Sequence, residues 1–235
     1  MELAPTEIAI KCAVSLDHSA AAAELLARYG LAGRPDEQRT VHFFDTRSLQ
    51  LFDTGVLARS CESWTAVDDD DVAIKVRGKR ARTIAKVCRA GKNETATFER
   101  DEELGRPEVE AFSIATKQAA GAVADLHAGH RSLEALLGQG ATTAAAAVGV
   151  PWNSLITYGP IRARLWARDL PGIDGRATVE MWNAGRALLL EVSRVCTTGE
   201  VEIARSQLTA FFAEAGLTAL SASKTRLALV ALTCP

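Results

Sequence analysis

The sequence predicts an α+β protein built on an antiparallel sheet or barrel, and three observations carry that prediction. Apolar and polar residues alternate with period two along much of the chain, the signature of half-buried strands. Most of the predicted strands follow one another with no helix between them. The joining segments "DTG", "RGKR", "AGKN" and "LPGIDG" carry the Gly, Asn and Asp that hairpin turns need.

The pattern predicts strands over 6–15, 40–46, 54–66, 71–78, 82–89, 94–102, 155–168, 177–183, 186–196 and 223–232. A helix is predicted over 19–29, where Ser19 can cap, Leu25, Leu26 and Tyr29 share a stripe, and Gly30 ends the run. A second starts with Pro107 at its first helical position, runs to about Leu126, and is followed by a short helix in "HRSLEALLG". A third covers 200–215, with Ile203, Leu208, Phe211 and Phe212 apolar before Gly216. The Ala-rich stretch at 138–154 is read as a loop or lid.

A chain of 235 residues is long enough for one domain spanning 1–235 with a sizeable core. Charged residues make up 24% and the net charge is -2, so the totals ask for neither nucleic acid nor an anionic membrane as partner. No apolar run approaches the roughly 20 residues that cross a bilayer, and the N-terminus lacks the basic-then-apolar pattern of a secretory signal. A cytoplasmic protein is expected. The five cysteines, with no C-x-x-C spacing, read as reduced thiols rather than a disulfide framework or a thiolate zinc site.

The strand faces carry the functional reading. In "EIAIKCAV", Ile8, Ile10, Cys12 and Val14 oppose Glu7, Ala9, Lys11 and Ala13; in "VAIKVRG", Val72, Ile74 and Val76 oppose Ala73, Lys75 and Arg77. In "PIRARLWAR", Ile161, Ala163 and Leu165 oppose Arg162, Arg164 and Trp166, and in "ALLLEVSRV" Glu191 and Ser193 share a face with Leu189. With Arg59 and Lys224 added, the polar side collects Lys11, Arg59, Lys75, Arg77, Arg162, Arg164 and Lys224. A sheet with one packed face has one wet face, and that alone accounts for many such charges. Solvent faces usually mix signs, however, and two of these strands pair bases at i and i+2 with no acid beside them. If the strands close with the apolar side outward under helices, the basic side becomes an interior that needs a polyanion as counter-charge. Phosphate suits Arg and Lys, and carboxylates in the same space would hold Mg2+ or Mn2+.

The order "EIAIK", "FFDTRSLQLFDTGVLAR", "VAIKVRG", "FERDEEL", "RARLWA", "GRALLLEVS" and "SKTRLAL" resembles the CYTH domain, the triphosphate tunnel metalloenzymes, over nearly the whole chain. Its most specific segment is "FFDTRSLQLFDTGVLAR". The resemblance implies a closed antiparallel eight-stranded barrel, a tunnel with helices packed outside, in which bases grip a triphosphate and acids bind a divalent metal. It implies roles in catalysis for Glu7, Lys11, Arg59 and Glu191, and in phosphate binding for Lys11, Arg59, Lys75, Arg77, Arg162, Arg164 and Lys224. Metal binding falls to Glu7, Glu99, Asp101, Glu180 and Glu191, with Arg100 and Glu102 as the rival register for the mid-chain acids.

The departures fall mainly on the metal ligands. Ala9 stands where the family has its second N-terminal Glu, Cys61 where it has a second Arg, Ser193 where it has a second late Glu, and Trp182 where it usually has an Asp. The preferred reading is a metal-dependent phosphohydrolase acting on an inorganic, thiamine or nucleoside triphosphate. Two alternatives stay open: a tunnel refitted for an organic diphosphate or another specialised-metabolism substrate, and a non-catalytic module binding a phosphate compound or nucleotide. The expected partner is a small phosphate-containing molecule, not a membrane or a nucleic acid, and a homodimer stays open. "DDDD" at 68–71 reads as a solvated hairpin tip, His127 and His130 as loop surface, and "RGKRAR" at 77–82 as thin support for nucleic-acid contact.

Overall fold

The computed structural model describes residues 7–16, 24, 26–65, 70–220 and 222–233, with the side chain of Glu7 outside the description. Its strands are β1 (Glu7–Ser15), β2 (Glu37–Asp45), β3 (Val56–Ser63), β4 (Asp71–Arg77), β5 (Glu94–Glu103), β6 (Val109–Lys117), β7 (Ile156–Asp169), β8 (Arg176–Ala184) and β9 (Ala187–Cys196). The helices are α1 (Gln50–Asp53), α2 (Ala81–Val87), α3 (Ala122–His127), α4 (Leu133–Leu136), α5 (Gln139–Val148), α6 (Val201–Glu214) and α7 (Lys224–Thr233).

Hydrogen bonding orders the strands as a closed barrel, β1-β5-β6-β4-β3-β2-β7-β8-β9. The pairs β1/β9, β2/β3, β3/β4, β4/β6, β7/β8 and β8/β9 are antiparallel. Directions cannot alternate all the way round a ring of nine, so the barrel is mixed. This corrects the eight-stranded, purely antiparallel expectation.

The chain divides into two compact units. One holds Arg39–Glu99 and Val109–Pro160; the other holds Glu7–Gln38, Arg100–Glu108 and Ile161–Pro235. In the first, Val56, Ala58, Val72, Ile74, Val76, Phe112 and Ile114 pack with α2, α3, α4 and α5 through Ala81, Ile84, Val123, Leu126, Leu133, Ala141 and Ala144. In the second, Ile8, Ile10, Cys12 and Val14 of β1 pack with Val179, Met181, Leu190 and Val192 against Ala204, Leu208, Phe211 and Phe212 of α6. Each unit therefore covers the apolar face of its strands with helices.

Several predicted elements are replaced, and burial shows why. The expected strand at 82–89 is α2, whose buried residues Ala81, Ile84 and Ala85 follow the helical i, i+3, i+4 spacing. The expected strand at 223–232 is α7, with Lys224, Ala228 and Leu229 buried at i, i+4, i+5 and the Ser223 hydroxyl accepting from the Arg226 N–H at 3.3 Å. The helix expected from Pro107 is instead β6, where Phe112, Ile114 and Thr116 alternate onto the core, and only Ala122–His127 of that stretch is helical. The expected lid at 138–154 contains α5, packed through Ala141, Ala144 and Ala145. The helix expected over 19–29, with its Ser19 cap, lies largely outside the described residues.

"FFDTRSLQLFDTG" builds the entry to β3. Buried Asp45 accepts from the N–H groups of Thr46 at 2.7 Å, Leu51 at 2.8 Å and Phe52 at 2.8 Å, and the Thr46 hydroxyl accepts from Gln50 N–H at 3.0 Å. The Tyr158 hydroxyl donates to the Thr46 carbonyl at 2.9 Å. Gly55 closes the turn at φ 77, where a Cβ would stand 2.9 Å from the Arg77 carbonyl oxygen.

Candidate functional site

Residues directly opposite each other in an antiparallel pair share a face, so the register decides which side chains keep company. In the first unit, Leu57 faces Lys75, Arg59 faces Ala73 and Cys61 faces Asp71. Lys75 faces Ser113, Arg77 faces Ala111 and Asp71 faces Lys117. Arg59, Cys61, Asp71, Lys75, Arg77 and Lys117 thus line one face, opposite the face that carries Val72, Ile74 and Val76 into the helix-covered core. Lys75 Nζ donates to Glu99 Oε1 at 2.6 Å, and an Arg59 guanidinium nitrogen lies 3.8 Å from Asp71 Oδ1. Cys61 is buried on this face.

In the second unit, Lys11 faces Ser193 and Ala13 faces Glu191. Glu180 faces Glu191, Thr178 faces Ser193 and Trp182 faces Leu189. Lys11, Glu180, Trp182, Glu191 and Ser193 share the face turned away from α6, together with buried Ala9. Lys11 Nζ donates to Asp101 Oδ1 at 2.6 Å, and Asp101 is 3% exposed.

Two carboxylates directly opposite each other repel unless a cation sits between them. Here α7 supplies it. Lys224 Nζ donates to Glu191 Oε1 at 3.1 Å and, by a short contact, to Glu180 Oε2. The same ammonium stands 4.2 Å from the centroid of the Trp182 ring, whose Nε1–H donates to Glu180 Oε1 at 2.7 Å. The Lys224 side chain is only 6% exposed.

The basic pair on β7 behaves differently. Arg162 faces Asn183 and Arg164 faces Met181, while Leu165 faces Glu180 and Ala163 faces Trp182. Arg162 and Arg164 therefore emerge beside Met181 and Val179, on the side that packs against α6, and both are exposed. The expectation that grouped them with Lys11 and Lys224 read the alternation of β7 correctly and assigned the wrong face. Trp166, on the Arg side, is the residue this strand sends into the core.

The mid-chain acids divide by partner. Glu99 meets Lys75 and Asp101 meets Lys11, while the rival Glu102 takes the Arg205 guanidinium of α6 at 2.9 Å and Arg100 lies 3.3 Å from Glu108. The side chain of Glu7 lies outside the described residues. Lys117 is a cation of the first face that sequence reasoning missed, because 107–126 read as helix and gave no face to assign.

Burial, then the Glu191 charge, pushes the Cys12 thiol up to about 12, and Cys12, Cys61, Cys88 and Cys196 are all buried free thiols. His127 is exposed as expected, at the end of α3 rather than in a loop; its ring is tilted 36° to that of His42 with centroids 3.7 Å apart, and Ser60 Oγ lies 3.0 Å from its Nε2. Asp70, expected in a solvated tip, is buried and accepts from Ser63 N–H at 2.9 Å. The cations of "RGKRAR" are engaged locally, Arg80 with the Thr54 carbonyl at 2.9 Å and Arg82 with Glu110.

A divalent ion bound by protein oxygens needs several carboxylates converging on one point. Among the described residues no group of three or more His, Cys, Asp or Glu side chains could hold a metal ion. Glu180, Glu191, Asp101 and Glu99 are each engaged by a lysine ammonium. The described side chains do not form a Mg2+ or Mn2+ site. Among those residues no helix is long and apolar enough to cross a membrane.

No family model and no curated protein matches the chain. Solved structures do. A candidate adenylate cyclase from Bacillus halodurans is 12% identical with a TM-score of 0.59, covering 94% of this chain and 97% of that chain. A candidate adenylyl cyclase from Hippeastrum, described as having a dominant triphosphatase activity, is 15% identical with a TM-score of 0.58, covering 94% of each chain. At these identities the likeness is one of fold.

Proposed function

We propose that the chain acts on a triphosphate, binding it through the cations on the strand face opposite the helix-covered core of the first unit and hydrolysing its terminal phosphoanhydride. The observation that carries this reading is the face shared by Arg59, Lys75 and Arg77, which lies opposite the helix-covered core of the same strands. The triphosphatase activity described for the Hippeastrum protein of similar fold supports the same reading.

In this reading Lys75, Arg59 and Arg77 neutralise phosphate oxygens. A water attacks the terminal phosphorus in line and loses a proton to solvent, the bond from that phosphorus to the bridging oxygen breaks, and the electron pair leaves on that oxygen. The cations stabilise the charge that develops there. Mg2+ or Mn2+ dependence is a separate expectation from the family resemblance, and no step here runs through the metal.

The test is phosphate or pyrophosphate release from tripolyphosphate, ATP and thiamine triphosphate by the purified protein, with Mg2+, with Mn2+ and with a chelator. Release from at least one substrate, lost in Lys75→Ala, is expected; no turnover of any of them would remove the hydrolase. A second reading, a site for an organic phosphate ester, is favoured by one feature. Ala9, Ala163, Leu165, Trp182 and Leu189 bring apolar surface to the face of Glu180 and Glu191. A ligand screen in which an organic diphosphate binds more tightly than tripolyphosphate would select it.

A further inference from the structure

We propose that Lys224 is the resident cation of the Glu180–Glu191 corner, occupying with its ammonium the place a divalent metal would take, so that this protein holds polyphosphate without a divalent ion. Glu180 and Glu191 face each other across β8 and β9, both side chains mostly withdrawn from solvent at 16% and 15% exposure. Such a like-charge pair is stable only with a counter-charge. The structure supplies that charge from the first residue of α7, against both carboxylates and over an indole ring that also donates to Glu180. The positions that would enlarge the donor set around this pair carry Ser193 and Trp182, neither of which brings a carboxylate oxygen.

An ammonium and a hard dication compete for the same oxygens, and the lysine is tethered. Its effective concentration at the corner is set by the packing of α7 on β8 and β9, where the Ala231 carbonyl oxygen would lie 3.3 Å from a Cβ placed on Gly185. Lys11 with Asp101 and Lys75 with Glu99 repeat the ammonium–carboxylate pairing elsewhere on the strands.

The first experiment follows free Mn2+ by electron paramagnetic resonance as it is titrated with the full chain, with Lys224→Met and with Lys224→Met/Glu180→Gln. The wild type is expected to bind with Kd no tighter than about 1 mM. Lys224→Met is expected to gain affinity on the order of tenfold or more, and the double variant to lose that gain. Wild-type binding in the micromolar range overturns the assignment by itself, even if the variant fails to fold; a folded Lys224→Met with no gain overturns it as well. The second experiment, calorimetry of tripolyphosphate binding, rests on the function proposed above. Equal affinity in chelator and in Mg2+ supports the inference, and binding that requires Mg2+ sinks it. No binding in either buffer removes the polyphosphate reading and leaves the Mn2+ result to decide the role of Lys224.

Discussion

Asp45, while buried, gathers the N–H of Thr46 and the two α1 N–H groups, of Leu51 and Phe52, that so short a helix leaves without partners. Asp45→Ala should therefore strand those donors and cost about 2 to 3 kcal/mol, read as a lower midpoint in urea unfolding. A second residue sets a pH dependence. His42, pushed down from 6.5 to about 4 by burial and then by His127, stays neutral in the folded protein where the unfolded chain already binds a proton. Stability is then complete above pH 6.5 and falls as the pH drops from 6.5 towards 4. Thermal midpoints measured across that window should decline, and His42→Phe should flatten the decline; an unchanged slope in the variant would place its origin elsewhere.

Helix α5 depends on a residue far from it in sequence. Glu94 accepts from the N–H groups of Gly140 at 3.0 Å and Ala141 at 2.9 Å, as well as from Gly91 at 2.6 Å. Burial alone would raise its carboxyl, but these backbone hydrogen bonds and that of Thr116 outweigh it and hold the group below its ordinary value. Glu94→Ala should lower stability by about 1 to 2 kcal/mol in urea unfolding, with a loss similar to that of a helix N-cap. The absence of side chain at Gly140 brings α5 close: a Cβ there would lie 2.4 Å from both the Arg89 carbonyl oxygen and Ile114 Cδ1. Such long-range partners explain why residues 138–154 looked irregular in the sequence, which shows neither the cap nor the surface that fixes the helix. The same limit applies to β7. Alternation separates Arg162 and Arg164 from Ile161 and Ala163, yet only the register with β8 tells which set joins Glu180. In β1 and β4 the larger apolar residues, Ile8, Ile10 and Val14 and Val72, Ile74 and Val76, pack on one side, so there the faces are legible from the letters alone. α7 was misread because "TRLALVAL" alternates as well as a strand does, and its helical stripe is visible only once Lys224, Ala228 and Leu229 are seen buried together.

At the scale of the whole molecule, nine strands form one closed hydrogen-bonded order, and in each unit the strand face opposite the helix-packed core carries cations. The strand-rich class and the cationic faces could be read from period-two patterning, whereas the odd strand count could not, since it depends on β6, which the sequence disguised as helix. On the proposed function, polyphosphate is held by the face of Arg59, Lys75 and Arg77 and not by positive charge in general. The most direct test is calorimetry of tripolyphosphate binding to the wild type, to Lys75→Ala and to Arg162→Ala/Arg164→Ala. Binding by the wild type is expected, with about tenfold or greater weakening in Lys75→Ala and less than about twofold change in the double arginine variant. Weakening by the arginine variant with Lys75→Ala unaffected, or no binding by the wild type, would contradict the proposed function.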